Sequence, residues 1–182
     1  MVFDGGRGRP APGHLYRRGL TRTFQQPRVF RRLTLVENLT LAVPQGWRST
    51  FRRGVGGSED ARARRLLDEF GLGDLSENEA GELSYGQQKL LEFATTLMSE
   101  PKLVLLDEPT AGVNPVMVEH LEGHIRELHR RGITFLVVEH DMNLVMRLCD
   151  PIIVMDHGAK LAEGRPYDVQ RDPAVLDAYL GG

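Results

Sequence analysis

A chain of 182 residues, 41% apolar and 26% charged, is sized for one globular domain. It has no run near the ~18 consecutive apolar residues of a membrane span and no apolar signal-peptide core at MVFDGGRGRPAPG; its single cysteine, Cys149, rules out an internal disulfide and fits a reducing cytoplasm. The net charge of −2 hides an asymmetry: residues 1–65 carry 14 Lys/Arg against 4 Asp/Glu, and the remainder 9 against 21. The basic segment reads as a solvated arginine-rich surface or as one facing acidic partners or anionic lipid, and without interleaved aromatics or a groove-reading helix no nucleic acid is expected.

In chain order, Val2-Phe3 before Asp4-Gly5-Gly6 predicts the tail of a strand entering a tight turn. Residues 7–15 read as a Gly/Pro/Arg-rich loop, Thr21–Phe24 as a short apolar piece, and residues 25–32 as a loop. Thr34-x-x-Glu37 is a capping box that opens a brief helix through Ala42. Residues 44–57, with Pro44, Gly46, Gly54, Gly56 and Gly57 as breakers, read as a variable loop containing Trp47. Ser58 is expected to cap a helix that ends at Gly71 and Gly73.

From Leu83 the pattern becomes regular. A helix is expected over about Ser84–Ser99, stopped by Pro101, then a strand Leu103–Leu106. Asn114-Pro115 opens a helix that closes at Gly132. Ile133–Glu139 reads as a strand, Asp141–Leu148 as a helix, and Ile152–Met155 as a strand turned back at Asp156-His157-Gly158 along Lys160-Leu161. Asp172-Pro173 caps a last helix to Leu180. Apolar strands alternating with helices predict an α/β fold whose mostly parallel sheet is covered on both faces.

The residues able to do chemistry gather at the element ends. Leu103–Glu108 is a buried strand delivering two carboxylates at its C-terminal end, where open α/β sheets bind ligands. Neighbouring strand residues point opposite ways, so Asp107 can hold a hydrated Mg²⁺ while Glu108 polarises a water. Leu83-Ser84-Tyr85-Gly86-Gln87-Gln88 places a hydroxyl, free N–H groups and a helix dipole where an anion could sit, although plain N-capping by Ser84 explains the same residues. His140 follows a strand and could hydrogen-bond a terminal phosphate, or be structural. Gln25, in Thr23-Phe24-Gln25-Gln26, carries little signal by itself.

Together these elements resemble the nucleotide-binding domain of ATP-binding-cassette transporters, a P-loop NTPase-like fold with a helical signature subdomain. Gln25 matches the family's Q-loop, and Leu83–Gln88 its signature motif, with Tyr85 where many members carry glycine. Leu103–Glu108 matches Walker B with Glu108 at the catalytic glutamate, Ala111–Pro115 the D-loop with Asn114 where many carry aspartate, and His140 the switch histidine. The wording of "RRGLTRTFQQPRVFRRLTLVENL", "LSYGQQ", "AGVNP", "VVEHDMNLVMRLCD" and "DHGAKLAEGRPYDVQRDPAVLDAYLG" is similar to ATPase subunits of branched-chain amino-acid importers, with urea and lipopolysaccharide transport ATPases as near relatives.

The resemblance implies one incomplete domain over residues 1–182: a helical subdomain 33–100, a core 101–164 from Walker B to the switch histidine, and a helical tail 165–182. It implies ATP and Mg²⁺ as ligands, with Glu108 and His140 catalytic, and Gln25, Ser84, Tyr85, Gly86, Gln87 and Asp107 binding nucleotide. Asp107 and Gln25 would face the metal. It further implies a second cassette as dimer partner, whose ATP would be met by Ser84 and Gly86, and transmembrane permease subunits, with the chain peripheral on the inner face of the plasma membrane.

Nothing in the sequence matches G-x-x-x-x-G-K-[ST]; the three lysines, Lys89, Lys102 and Lys160, all follow residues other than glycine. The family places that loop before the position of Val2, so the expectation is a cassette lacking its first few dozen residues and its N-terminal strands. The isolated chain is then expected neither to bind ATP tightly nor to hydrolyse it, and to leave apolar faces uncovered. Two other readings are a degenerate subunit that offers only its signature motif, and a non-catalytic binding domain with a basic surface.

His120 and His124 share a helix face, but Leu121 stands where a metalloprotease pattern needs glutamate, so an amphipathic helix with His120, His124, Glu127 and Arg131 on its wet side is expected. Cys149 is expected to be packed. Phe30, Leu33 and Val36 suit either contact with a membrane subunit or the core.

Overall fold

The computed structural model describes residues 12–43 and 57–180. The chain divides into two compact units, Met1–Leu136 and Val137–Gly182. The strand expected at Val2-Phe3, its turn, and the loop around Trp47 lie outside the described residues.

In the first unit a short helix, α1 (Pro12–Arg17), stands where loop was expected through residue 15. Proline's fixed φ suits a first helical position, which the loop reading of this Gly/Pro-rich stretch overlooked. Tyr16 anchors α1 by donating its hydroxyl hydrogen bond to the Ala42 carbonyl. Gly19 then turns the chain at φ +86°, and its carbonyl accepts from the Lys102 and Leu103 amides at 2.7 and 3.0 Å. Strand β1 (Leu20–Arg22) pairs parallel with β2 (Leu103–Asp107), Thr21 opposite Val104. The Thr23 amide extends this ladder to the Leu105 carbonyl at 2.9 Å, while Phe24 lies beyond the strand.

Helix α2 (Leu35–Leu41) begins with the expected reciprocal box: the Thr34 hydroxyl accepts from the Glu37 amide and the Glu37 carboxylate from the Thr34 amide. Buried Asn38 organises the loop before it. Its amide donates to the carbonyls of Phe30, Leu33 and Thr34, and its Oδ1 accepts from the Phe30 N–H at 2.7 Å. Helix α3 (Ser58–Glu69) corrects the expected cap: Gly57 is the N-cap and Ser58 is already helical, with no side-chain cap bond. Gly57 takes the extended conformation that the cap requires, which frees Ser58 to enter the first turn. Gly71, at φ +68°, turns the chain out of it.

Helix α4 (Tyr85–Leu97) packs its apolar face into the core of this unit, where Leu35, Leu39, Leu67 and Leu91 are wholly buried. Each such leucine contributes roughly 1.5–3 kcal/mol over an exposed position. Phe70 meets Phe93 edge-on with centroids 5.4 Å apart, and Phe93 meets Phe135 similarly at 6.1 Å. Helix α5 (Pro115–Arg130) is capped by Asn114, whose Oδ1 accepts from the Met117 amide at 3.0 Å. His124 lies half-buried and stacks on Phe70 at 4.2 Å, so the wet face expected for this helix is interrupted there. Val36 is buried and Phe30 exposed, which separates two residues the sequence left together.

Strand β3 (Thr134–Val138) gives the sheet the order β1-β2-β3. Val104 and Leu106 of β2 are buried, whereas Leu136 and Val138 of β3 are 51% and 56% exposed. Coverage of both faces, as expected from the apolar strands, is therefore only partial on that side of β3, in line with the uncovered apolar faces also expected. Alternate strand residues face opposite ways, so an uncovered face exposes every second side chain.

In the second unit Asp141 caps α6 (Met142–Leu148), accepting from the amides of Asn143 and Leu144. Strand β4 (Ile152–Asp156) runs antiparallel to β5 (Ala159–Gly164) through the expected turn, with Gly158 at φ +83°. A short helix the sequence reading missed, α7 (Pro166–Val169), precedes α8 (Pro173–Leu180). Ile152, Val169 and Val175 form this unit's core, and Cys149 packs against them; burial raises its thiol pKa. A buried protonated thiol is a poor nucleophile, in keeping with a packing role.

Candidate functional site

The end of β2 is where the candidate residues meet. Asp107 is the strand's last residue, and its Oδ2 accepts from Arg22 Nη2 on the neighbouring strand at 2.8 Å. The Asp107 amide in turn donates to the Thr23 hydroxyl at 3.4 Å. Glu108 follows in a left-handed conformation, φ +44°, which costs a residue with a side chain roughly 1–2 kcal/mol. The fold holds it there: the buried Lys89 ammonium of α4 donates to the Glu108 carbonyl at 2.8 Å. With its backbone turned, Glu108 presents its carboxylate to the loop after β1, and Gln25 Nε2 donates to its Oε2 at 2.8 Å.

The loop carrying Gln25 is fastened to α4 as well. Tyr85 Oη donates to the Gln25 carbonyl at 3.3 Å, and the Glu92 carboxylate accepts from the amides of Phe24 and Arg28, both at 3.3 Å. Arg28 lies over the Phe24 ring at 3.7 Å. Glu92 is buried, and burial raises its carboxyl pKa, against the lowering pull of the two amides, of Lys89 and of Arg28. A cleft bounded by Thr23, Phe24, Lys89, Glu92, Leu106 and Pro109 runs between these elements.

At the head of α4 the polar groups serve one another. Ser84 Oγ accepts from the Gln87 amide at 3.4 Å, and Gln87 Oε1 accepts from the Ser84 amide at 3.0 Å. Gly86 sits where a Cβ would meet Met117 Cγ at 3.3 Å, so close packing on α5 accounts for it locally. Gly112, at φ +72°, lets the turn after Glu108 pack on the Tyr85 ring. Asn114, at the D-loop position, is spent on capping α5.

Gln25, Tyr85, Asp107 and Glu108 are thus brought together, with Ser84, Gly86 and Gln87 beside Tyr85 at the head of α4. His140 belongs to the second unit. There its ring is exposed, its amide donates to the Glu139 carboxylate at 3.1 Å, and its Nδ1 lies 3.7 Å from that group. Sequence reasoning missed Arg22, Lys89 and Glu92. For the latter two a signal was present: two charges embedded in the apolar run Lys89-Leu90-Leu91-Glu92-Phe93-Ala94 stay buried only if something neutralises them.

The donors at the strand end are hard oxygens, Asp107 carboxylate and Gln25 amide, as a Mg²⁺ ion requires. A guanidinium already rests against Asp107, so the position accepts positive charge. Among the described residues no group of three or more His, Cys, Asp or Glu could cage a metal by itself, and Mg²⁺ in nucleotide sites is shared with phosphates rather than caged.

These features have counterparts in known proteins. The family model described as ABC transporter matches residues 4–111, and that of the branched-chain amino acid ATP-binding cassette transporter matches residues 159–182. The high-affinity branched-chain amino acid transport ATP-binding protein BraF of Pseudomonas aeruginosa is 39% identical over 98% of this chain and 74% of its own length. The probable branched-chain amino acid transport ATP-binding protein LivG of Archaeoglobus fulgidus is 39% identical over 93% of this chain and 68% of its own length, and the high-affinity LivG of Escherichia coli K12 38% over 93% and 71%. A crystal structure of a nucleotide-free ATP-binding cassette from an ABC transporter superposes with TM-score 0.80 at 35% identity, covering 95% of this chain and 73% of that one. A cassette in its ADP conformation gives 0.79 at 35% identity, over 95% and 72%. With its α/β sheet, its paired carboxylates and this breadth of likeness, the chain belongs to the ATP-binding-cassette transporter family.

Proposed function

We propose that this chain serves as the ATP-binding subunit of an importer for branched-chain amino acids, coupling ATP binding and hydrolysis to transport while peripheral on the inner face of the plasma membrane. The names of its relatives and the match at residues 159–182 support the solute class. Among the described residues no helix is long and apolar enough to cross a membrane; the partners that the relatives' transport role implies are transmembrane permease subunits. Exposed Phe30, at the loop before α2, is a candidate contact for them.

One observation carries the reading: Gln25 Nε2 on Glu108 Oε2 at 2.8 Å, beside Asp107 at the end of a parallel strand. Glu108 holds the proton-accepting group, aimed by Lys89 and Gln25. A carboxylate so placed can orient a water for attack on a terminal phosphate. Asp107 and Gln25 Oε1 would hold Mg²⁺, which when bound offsets the negative charge of the phosphates. To hold it, Asp107 would give up Arg22, a surface pair of the kind that contributes little. His140 would meet the γ-phosphate, and Ser84, Tyr85, Gly86 and Gln87 the ATP of a second cassette.

The chain spans 68–74% of these relatives' lengths, and its residues contain no Gly-Lys-Ser/Thr phosphate loop. Residues 1–182 alone are therefore expected to show no ATP turnover. Joined to a strand–loop–helix segment carrying G-x-x-x-x-G-K-[ST], they are expected to hydrolyse ATP, and Glu108→Gln should lower that rate by about 10²-fold or more. Turnover indifferent to Glu108→Gln would overturn the assignment. Stimulation of an intact cassette by a chain that itself never turns over would favour the degenerate-subunit reading.

A further inference from the structure

Helix α4 holds two things at once. One helical turn apart on it, Lys89 donates to the Glu108 carbonyl at 2.8 Å and Glu92 accepts from the amides of Phe24 and Arg28 at 3.3 Å. Those two amides flank Gln25, whose own side chain reaches Glu108. Both charged groups are 7% exposed. A buried carboxylate is costly unless hydrogen-bonded, and one that accepts two backbone N–H groups from a loop fixes that loop's path. Pro27 lies inside the clamped stretch and shortens the menu of conformations the loop could otherwise explore.

We propose that Glu92 is a positioning residue, which ties the glutamine loop to α4 so that Gln25, Glu108 and the turn at Ser84–Gly86 keep one register. Its bearing on hydrolysis rests on the function proposed above; the clamp itself does not. Glu92 is itself buried and acts through its neighbours. Its effect passes through the Phe24 and Arg28 amides to the Gln25 side chain, and through Lys89 on the same helix to the backbone of Glu108. A shift of α4 would then move the partner-facing turn and the water-orienting pair together. Lys89 and Arg28 are the charges that face Glu92, and both favour its ionised form.

The test uses residues 1–182, isotope-labelled, with residue-resolved amide exchange and side-chain amide resonances. Glu92→Leu keeps bulk and removes the acceptor; Glu92→Gln keeps an acceptor oxygen and removes the charge. Glu92→Leu is expected to speed exchange at Phe24 and Arg28 by about tenfold or more, the worth of roughly one net hydrogen bond. It should also shift the Gln25 side-chain amide, while that of Gln88, bonded to the Leu83 carbonyl at 3.0 Å, stays in place. Glu92→Gln should restore both signals. Unchanged protection at Phe24 and Arg28 in Glu92→Leu, or faster exchange spread evenly over the chain, would overturn the proposal. If Glu92→Leu does not fold, Glu92→Gln decides: retained protection and an unshifted Gln25 amide support the clamp, and loss of either overturns it. Absent turnover in the loop-bearing protein, with these exchange results intact, would count against the proposed function and leave the clamp standing.

Discussion

The head of α4 and the end of β2 are adjacent in space and opposite in construction. At the head of α4, Ser84 and Gln87, three residues apart, satisfy each other's amides. At the end of β2, Asp107 takes its partner from 85 residues away and Glu108 from 83. The first arrangement forms wherever its few residues form a helix turn. The second exists only once the sheet and α4 have assembled, and it includes a left-handed backbone at Glu108 that the local sequence does not favour. Local devices therefore set the stability of this region and long-range ones its chemistry.

The comparison is broken most readily at Asn38, where a local device is wholly buried. Asn38→Ala would strip four hydrogen bonds from the loop at residues 30–34 and leave the Phe30 N–H and three carbonyls without that partner. A cost of about 2–4 kcal/mol is expected, from a buried group's usual penalty of roughly 1–3 kcal/mol each, softened by water entering the loop. Chemical denaturation of the variant and its parent measures it. A loss below about 1 kcal/mol would mean that the loop is held from elsewhere.

Ser84→Ala should cost less, about 1 kcal/mol, or roughly 2–4 °C of melting temperature, because the capped turn is exposed and water can replace the hydroxyl. It sharpens the contrast when set beside Gln25→Ala, whose exposed bond to Glu108 is expected to leave stability nearly unchanged. A larger thermal loss for Gln25→Ala than for Ser84→Ala would reverse the division between local and long-range roles.

The same division decides what could be read from the sequence. The box at Thr34–Glu37, the cap at Ser84, the Asn114-Pro115 start and the strand expected at Leu103–Leu106 were legible because each is written in a few consecutive residues. Helices α1 and α7 were missed because each opens on a proline within a stretch rich in breakers, Pro12 and Pro166, and a proline at a first helical position looks the same as one in a loop. Gln25 became a candidate only through resemblance: nothing beside it in the chain announces that its side chain reaches a carboxylate on β2. Glu92 was passed over because an acid on a helix usually faces water, and only the assembled loop shows the two amides that bury it. For β3 two expectations pulled apart: its apolar run says that the strand wants cover, while the absence of a phosphate-loop motif implied uncovered apolar faces, and exposed Leu136 and Val138 follow the second.

The smallest effect is expected where a long-range contact carries a titratable group outside the site. His124 of α5 stacks on Phe70, and burial lowers its pKa, with His120 adding to the effect and Glu69 opposing it. Glu69 is itself paired with Arg131 at 2.8 Å, which blunts its help. Folding thus favours the neutral ring. The contribution of His124 to stability is in full force above the ordinary histidine value of about 6.5 and is lost as pH falls through the lower value of the folded state. His124→Phe keeps an aromatic partner for Phe70 and removes the proton, so stability measured by denaturation from pH 7.5 down to 5 should slope less in the variant than in the parent. Equal slopes would mean that Glu69 compensates the ring fully, and that even this stacked contact between distant segments is governed by its local charges.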